Sequence, residues 1–331
     1  MDQSPTRRAT ESCGTSPQSE APLRWPSEAG PWLVGFSHGP DSTLLLALAV
    51  QHCQSADLPP PIAVHVDHAL RPQSAAEAKA AQACAAELGA AFVCERIAPP
   101  ASESRARQMR HQVFARALAR LGGSCVLLGQ HLDDQRETLL FRLLRGSGPL
   151  GLAGMRWRSV LQSPHRLLLV RPLLNWTRES ILSELRRRRL PWIEDPSNAN
   201  PEHTARNQIR HQLLPEWTQR QGGLAQLDAL AAAAAALRSA VETELALAEP
   251  ATPGPLRLPL ELLDVLSPWT REQLYLRATR ALGQPDPSRA LLAECDALRR
   301  ARSGSRSEAR GRWRLRRTRS ELQFEAWGQP S

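Results

Sequence analysis

Lysine is almost missing from this chain. Lys79 is the only one among 42 lysines and arginines, so the basic side is almost wholly arginine. Cysteine is present but in no pattern: Cys13, Cys53, Cys84, Cys94, Cys125 and Cys295 are scattered, with no C-x-x-C pair. That spacing excludes the usual zinc and iron–sulfur motifs and a disulfide framework, and points to a reducing, cytoplasmic setting. No apolar run approaches the roughly 20 residues that a bilayer span needs, so no membrane role is expected. Residues 1–30 lack an apolar h-region and are rich in Ser, Pro, Glu and Arg. They read as a disordered tail and not as a signal peptide. A lysine-bearing G-x-x-x-x-G-K-[ST] loop is also missing, which excludes the commonest triphosphate cradle.

What is present is globular. The 331 residues are 42% hydrophobic and 23% charged, enough for two domains with cores. The net charge is +9 and the pI about 10.3. Genome composition can trade lysine for arginine, but it does not create an excess of positive over negative charge. Arginine forks suit phosphate, and the balance points to a polyanion such as nucleic acid.

The chain is organised around Ser37-His38-Gly39-Pro40-Asp41-Ser42. A short apolar segment, Trp32 to Phe36, precedes it, and helix formers from Thr43 to Val50 follow. That order predicts a strand, a tight loop and a helix. Pro40 suits the first helical position and Gly39 the N-cap. The N–H groups of such a loop sit at the positive end of a helix dipole and bind anions. Ser37 and Ser42 add hydroxyl donors.

Strand and helix patterns then alternate. Strands are predicted over Pro61 to Asp67, Ala91 to Cys94, Ser124 to Gly129 and Leu167 to Val170. Helices are predicted over Ser74 to Leu88, Ser102 to Leu121, Asp133 to Arg145 and Thr177 to Arg189. Alternation of this kind makes an α/β fold with a doubly wound parallel sheet, whose ligands bind outside the carboxyl ends of the strands. The polar clusters fall there: the Ser37 loop, then His65 with Asp67 and His68, then His131 with Asp133 and Asp134. A turn-rich connector, Trp192 to Asn198, precedes a helical stretch around Arg206, Asn207 and Arg210, and a domain boundary is expected near Pro215. Beyond it the composition becomes alanine-rich, and a mainly helical C-terminal domain is expected. It should hold helices over Leu224 to Ala248, Trp269 to Ala281 and Ser288 to Arg300, and two short strands, Trp313 to Thr318 and Leu322 to Trp327.

Several clusters, in order, resemble the tRNA(Ile)-lysidine synthetases. Ser37-His38-Gly39-Pro40-Asp41-Ser42 resembles the S-G-G-x-D-S loop of the pyrophosphate-loop ATPases, with His38 at a usual glycine. The stretch His65 to Ser74 resembles the family's H-V-D-H-G-L-R-x-x-S. Arg107, Arg110 and His111 stand in its A-R-x-x-R-Y region, with histidine where tyrosine is usual. Gly129-Gln130-His131-Leu132-Asp133-Asp134-Gln135-Arg136-Glu137-Thr138, continuing into Arg145 to Gly148, resembles a further family stretch. Arg171 to Leu174, Glu194 to Asn198 and Arg206 to Arg210 complete the match, which spans about Trp32 to Pro215.

The resemblance implies an enzyme of the Rossmann-like, N-type ATP pyrophosphatase class, using ATP and Mg²⁺. It would act on an isoleucine tRNA with a CAU anticodon and on free L-lysine, through an adenylated wobble cytidine, and would change decoding from AUG to AUA. The implied domains are a catalytic domain over 31–215, a helical tRNA-binding domain over 216–303 and basic strands over 304–331, shorter than in longer members. A homodimer is left open. The nucleotide set is Ser37, His38, Gly39, Pro40, Asp41, Ser42 and Asp67. The catalytic set is Asp41, Arg107, Arg110, His131, Asp133, Asp134 and Glu137, with Asp41 and Asp134 also at the metal.

Asp133, Asp134 and Glu137 lie on one face of a helix start. There they can recognise an ammonium, and one of them must take its proton before a neutral amine attacks. Arg206, Asn207 and Arg210 would contact tRNA phosphates or buttress the domain junction. A tRNA thiolase of the same superfamily is the rival enzyme, and it typically needs cysteines that this chain does not pair. A second rival is a tRNA-binding homologue impaired by His38, but with every other cluster intact, activity is expected to be retained.

Overall fold

A computed structural model describes residues 22–28, 30–67, 74–99, 102–162, 166–194, 205–248, 257–282, 287–309 and 313–326. In chain order the first elements are β1 (Trp32–Gly35), α1 (Pro40–Ser55), β2 (Ile62–Asp67), α2 (Ser74–Glu87), β3 (Ala91–Arg96) and α3 (Glu103–Leu121). Next come β4 (Cys125–Leu127), α4 (Leu132–Leu144), a short α5 (Pro149–Leu152), β5 (Arg158–Gln162), β6 (Arg166–Val170) and α6 (Arg178–Arg188). Helix α7 (Ala205–Gln208) passes through a π-helical turn (Ile209–Leu213) into α8 (Leu214–Gln219), and α9 (Gly223–Ala248) follows. The last elements are β7 (Arg257–Pro259), α10 (Leu260–Val265), α11 (Pro268–Ala281), α12 (Arg289–Arg300), β8 (Arg306–Ala309), β9 (Trp313–Arg317) and β10 (Glu321–Ala326).

The chain forms two compact units, Met1–Gly146 with Gly154–Asp228, and Ser147–Ala153 with Ala229–Ser331. The division falls inside α9, later than the boundary expected near Pro215. The reason is local: Trp217 Nε1 donates to the Gly223 carbonyl at 2.8 Å, and Arg136 grips Asp228 through two bonds of 3.0 and 2.7 Å. The start of α9 is thereby held to the first unit.

The first unit is a six-stranded sheet in the order β3-β2-β1-β4-β6-β5. All its pairings are parallel except β5 with β6. Alternation along β1 builds a core on each face of the sheet. Trp32, Val34 and Phe36 join residues of α1, α2 and α6, while Leu33 joins Val113, Phe114, Ala117 and Leu118 of α3. Helix α1 is buried on nearly every side from Leu44 to Val50, which is why its sequence reads as a solid apolar run and not as a stripe. The predicted caps are present: Ser102 accepts from the Arg105 N–H, and Thr177 from the Ser180 N–H.

The disordered tail expected over residues 1–30 is corrected over 22–28. Trp25 stacks on His52 at 4.9 Å and on Trp32 at 5.8 Å. The Arg24 guanidinium lies 4.4 Å above the Trp157 ring, and Glu28 pairs with Arg158. Polar composition hid two tryptophan-driven contacts. Residues 1–21 lie outside the described residues.

The second unit is less helical than expected. Four strands form an antiparallel sheet, β7-β10-β9-β8, packed with α10, α11 and α12 and the end of α9. Its core holds Val241, Leu245, Leu258, Leu263, Tyr275, Cys295, Leu315 and Phe324. Strands β7 and β8 and helix α10 were not predicted, because each is short and interrupted by charge or proline. Residues Gly223–Ala246 of α9 are, by length and composition only, apolar enough to cross a membrane, with mean hydropathy 1.3, against the expectation that no run would qualify. The helix is anchored in the folded chain instead: Asp228 pairs with Arg136, Val241 and Leu245 are buried, and Glu244 accepts from Ser267 and Thr270.

Two outcomes are expected. Trp25→Ala should lower stability by about 2 kcal/mol, read from urea unfolding, because it removes a half-buried aromatic and two ring contacts. Glu184 on α6 is held at about 2, chiefly by the Arg187 bond and then, against its burial, by Arg188. A depressed carboxyl stabilises above its unfolded value of 4.5 and loses that contribution as pH falls through about 2. Glu184→Gln should remove this part of the acid sensitivity, measured by unfolding across that window.

Candidate active site

The strand order reverses between β1 and β4, and their carboxyl ends open a crevice there. The loop after β1 closes tightly on itself. Ser37 N–H donates to Ser42 Oγ at 3.2 Å, Ser42 Oγ donates to the Gly39 carbonyl at 3.1 Å, and Gly39 N–H donates to Ser37 Oγ at 3.3 Å. Gly39 is extended at the N-cap and Pro40 begins α1. The first turn's N–H groups have no intrahelical acceptor and so point into the crevice mouth as donors. Gly129, after β4, lets the two loops meet: a Cβ there would lie 3.0 Å from the Asp41 carbonyl.

His38 adopts φ 62°, the left-handed region. Its side chain is not among those lining the cleft beside the loop. The ring is buried and lies 5.9 Å from Phe36, and neither ring nitrogen has a hydrogen-bond partner among the described residues. Burial pushes its pKa down, with His65 adding to the shift and Glu87 opposing it. A histidine at this position therefore carries backbone strain without filling the anion cradle.

Beside the loop lies a cleft of about 400 Å³, lined by Ser37, Asp41, Ser42, Gly129 and Gln130, the apolar Phe36, Val64, Val66, Phe114 and Leu128, and a stripe of α3. Arg107, Arg110, His111 and Phe114 form that stripe at i, i+3, i+4 and i+7. His111 is held down to about 4 by burial first and then by Arg107, Arg110 and Arg171, so a neutral imidazole sits among cations.

The acids form the other side. Asp134 Oδ2 accepts from the His131 N–H at 3.0 Å, which fixes the start of α4. His131 is buried, and its Nε2 lies 3.7 Å from Asp41 and 3.6 Å from Asp134. Asp133 lies 3.8 Å from His131 Nδ1, and accepts from Arg136 at 2.9 Å and from the Arg178 N–H at 2.8 Å. Glu137 is 3% exposed and is gripped by Arg210 at 2.6 and 3.1 Å. Burial pushes the Glu137 carboxyl up, and Arg210 offsets part of that. Burial also pushes Asp41 up, with His131 and Arg178 opposing it and Asp134 adding to it. The phosphate loop and the acid cluster thus meet through His131, which lies 3.7 Å from Asp41 and 3.6 Å from Asp134; of the four acids only Asp41 is among the residues lining the cleft.

Other expected site residues stand elsewhere. Asp67, at the end of β2, accepts from Ser74 at 3.4 Å and lies 3.6 Å from Arg96. It is not among the residues lining the cleft. Arg210 reaches the acid cluster within the first unit, bonding Glu137 at 2.6 Å and lying 3.6 Å from Asp134. Asn207 is buried and Arg206 half-buried on α7. His68 and Asp195 to Asn198 lie outside the described residues.

Sequence reasoning missed Arg178, whose guanidinium pairs with Asp41 at 3.1 Å while its N–H serves Asp133. Only its position just after the Thr177 cap marked it. Arg171 was also missed as a site residue. It is buried, bonds Gln130, the Arg156 carbonyl at 2.8 Å and Ser159 at 3.0 Å, and is held down to about 10 by burial and Arg107. An arginine directly after a solid apolar strand was its signal.

Fold and crevice together define an α/β nucleotide-binding domain with its phosphate loop after the first strand. The PP-loop domain family model matches residues 16–217, and the chain belongs to that family. It is 46% identical over 204 residues to the tRNA(Ile)-lysidine synthase of Pseudomonas syringae pv. tomato, covering 60% of this chain and 43% of that protein. The enzyme of the same name from Pseudomonas aeruginosa is 42% identical over 218 residues, covering 63% of this chain and 47% of that one. That of Alkalilimnicola ehrlichii is 38% identical over 283 residues, covering 83% and 62%. The chain spans about half the length of these curated relatives.

Arg210→Ala should strand Glu137 without its cation. Breaking a buried pair costs about 3–5 kcal/mol, and Arg210 is a third exposed, so a loss of about 2–3 kcal/mol is expected. The Glu137 carboxyl, already raised, rises further. A raised carboxyl is destabilising when ionised, so the deficit should be largest at neutral pH and shrink as pH falls toward 4.5. Urea unfolding of both proteins across that range reads it, and a pH-independent deficit would contradict the assignment.

Proposed function

We propose that the chain ligates L-lysine to the wobble cytidine of an isoleucine tRNA with a CAU anticodon, through an adenylated cytidine, at the expense of ATP. The observation that carries this reading is the junction of two chemistries: a phosphate loop and an acid cluster joined through Asp41, His131 and Asp134. The names of its relatives support the same reading.

Each group has a task in this scheme. The loop N–H groups and the hydroxyls of Ser37 and Ser42 hold the β- and γ-phosphates. The arginines of α3, Arg107 and Arg110, offset charge developing at the α-phosphorus and on leaving pyrophosphate. The apolar part of the cleft, from Phe36 to Leu128, suits the adenine ring. Mg²⁺ is compatible with the donor set, because Asp41 and Asp134 are hard oxygen donors that flank one imidazole nitrogen. It would take its remaining ligands from phosphate and water, and would neutralise phosphate charge. Among the described residues no group of three or more ligating side chains converges by itself.

Of the three acids, Asp134 fits the amine best. Glu137 is committed to Arg210 at 2.6 Å, and Asp133 to Arg136 and the Arg178 N–H, whereas Asp134 caps the His131 N–H through Oδ2 and lies 3.6 Å from Arg210, its one guanidinium neighbour among the described residues. Asp134 would take the lysine ammonium, with His131 as the neighbour able to relay its proton. The helical part over 216–303 and the basic strands over 304–331 would hold the tRNA. Against His38 as an impairment stands the burial of its ring, which is not among the residues lining the cleft.

Incubation of the full chain with ATP, labelled lysine and the CAU-anticodon tRNA, followed by nucleoside analysis, tests the reading. Lysidine and AMP are expected together, and a sulfur-modified nucleoside or no AMP would reject it. Asp134→Asn should abolish lysine incorporation while leaving ATP binding within about threefold. His38→Gly should change stability by less than about 1 kcal/mol, since relief of strain opposes lost packing and added chain entropy. Native AMP formation should be at least a tenth of that variant's, and a silent native chain beside an active variant would show the loop to be crippled.

A further inference from the structure

The second unit holds a cavity of about 540 Å³ that the chemistry above does not use, larger than the cleft of about 400 Å³ beside the phosphate loop. Its walls are residues 148–151 and the facing sides of α11 and α12. Those sides follow helical spacing. On α11, Trp269, Glu272 and Gln273 recur at i, i+3 and i+4, and on α12, Arg289, Leu292, Ala293 and Asp296 recur at i, i+3, i+4 and i+7. Pro149, Leu150 and Leu292 make the lining partly apolar.

Some of the polar groups in this lining are spent on the fold and others are not. Asp296 accepts from Arg271 at 3.0 Å, from Arg299 at 3.3 Å and from the Tyr275 hydroxyl at 3.3 Å, and pairs with Arg300 at 3.2 Å. Trp269, Glu272 and Gln273 are half-buried, and their indole N–H, carboxylate and amide make no hydrogen bond or ion pair among the described residues. By contrast, the indole N–H groups of Trp32, Trp157 and Trp217 each reach a carbonyl, at 3.2, 3.2 and 2.8 Å. Glu272 lies past the first turn of α11, so the helix dipole does not account for it. The residues three and four positions away are Pro268, Trp269, Tyr275 and Leu276, so no cation on its own helix can serve it. A partly buried carboxylate without a cation costs free energy. A ligand ammonium beside the Trp269 ring would supply the missing partner and meet the negative face of the indole. On the α12 wall, Arg289 carries five N–H donors, so an existing contact does not exhaust it.

Charges of opposite sign on two walls, with aromatic and aliphatic surface between them, are the complement of a small zwitterion, and the volume suits a small molecule. We propose that this cavity binds a free α-amino acid with an aliphatic side chain. Glu272 and Trp269 take its ammonium, Arg289 its carboxylate, and Pro149, Leu150 and Leu292 its side chain. The cavity shares no residue with the crevice of the first unit. Titration calorimetry of the full chain with L-leucine tests the proposal, and a Kd of about 1 mM or below is expected. Glu272→Gln and Arg289→Gln should each weaken binding about tenfold. The thermal midpoint of Glu272→Gln should be no lower than the native one, because the carboxylate has no partner to lose. Isoamylamine, which lacks the carboxylate, and isocaproate, which lacks the ammonium, should each bind about tenfold more weakly than leucine. Asp134→Asn should leave leucine binding unchanged, which separates this cavity from the crevice. No heat with leucine up to about 20 mM, or binding that Glu272→Gln leaves intact, overturns the proposal. So does isoamylamine binding as tightly as leucine, or leucine binding lost in Asp134→Asn.

Discussion

Four carboxylates, those of Asp41, Asp133, Asp134 and Glu137, crowd into one partly buried crevice, and the site depends on the cations that separate them. At about 4 Å in a protein-like medium, two unpaired charges repel by about 4 kcal/mol, so the arrangement cannot stand alone. Arg178 offsets Asp41, Arg136 offsets Asp133, and Arg210 covers Glu137 while leaning toward Asp134. His131 stands among Asp41, Asp133 and Asp134. These cations come from α4, α6 and the π-helical turn, elements far apart in sequence. The crevice therefore exists only when all of them have docked on the sheet, and a π-turn at Arg210 fits the habit of such irregularities to mark functional positions.

Acids gather at the start of α4 beside Asp41, while Arg107 and Arg110 on α3 line the cleft and Arg171 bonds Gln130 at its edge. His111 is kept neutral first by burial and then by the arginines beside it, and a neutral imidazole can accept as well as donate where a further cation could only donate.

Much of the first unit was readable because its signals are local. Pro40 after Gly39 marks a helix start by removing an N–H that the first turn does not use. Ser102 and Thr177 mark caps, and Asp133-Asp134 an acid-rich helix start. The unread parts were those decided by partners remote in the chain. Residues 22–28 look like tail until Trp25 finds Trp32 and His52. Strands β5, β7 and β8 carry too few apolar residues to announce themselves, and they form because a neighbouring strand supplies their backbone partners. The boundary moved from Pro215 to Asp228 through one arginine, Arg136.

The succession of strands and helices from Trp32 to Arg145, the phosphate loop after the first strand and the identity of the acids follow from the sequence alone, since each depends on neighbours within a few positions. Which cation serves which acid, the burial of the His38 ring and the withdrawal of Asp67 to Ser74 and Arg96 were decided only by tertiary structure. Those outcomes depend on which side chains meet across the sheet, and charge pairing over a few ångströms is set by packing, not by distance along the chain.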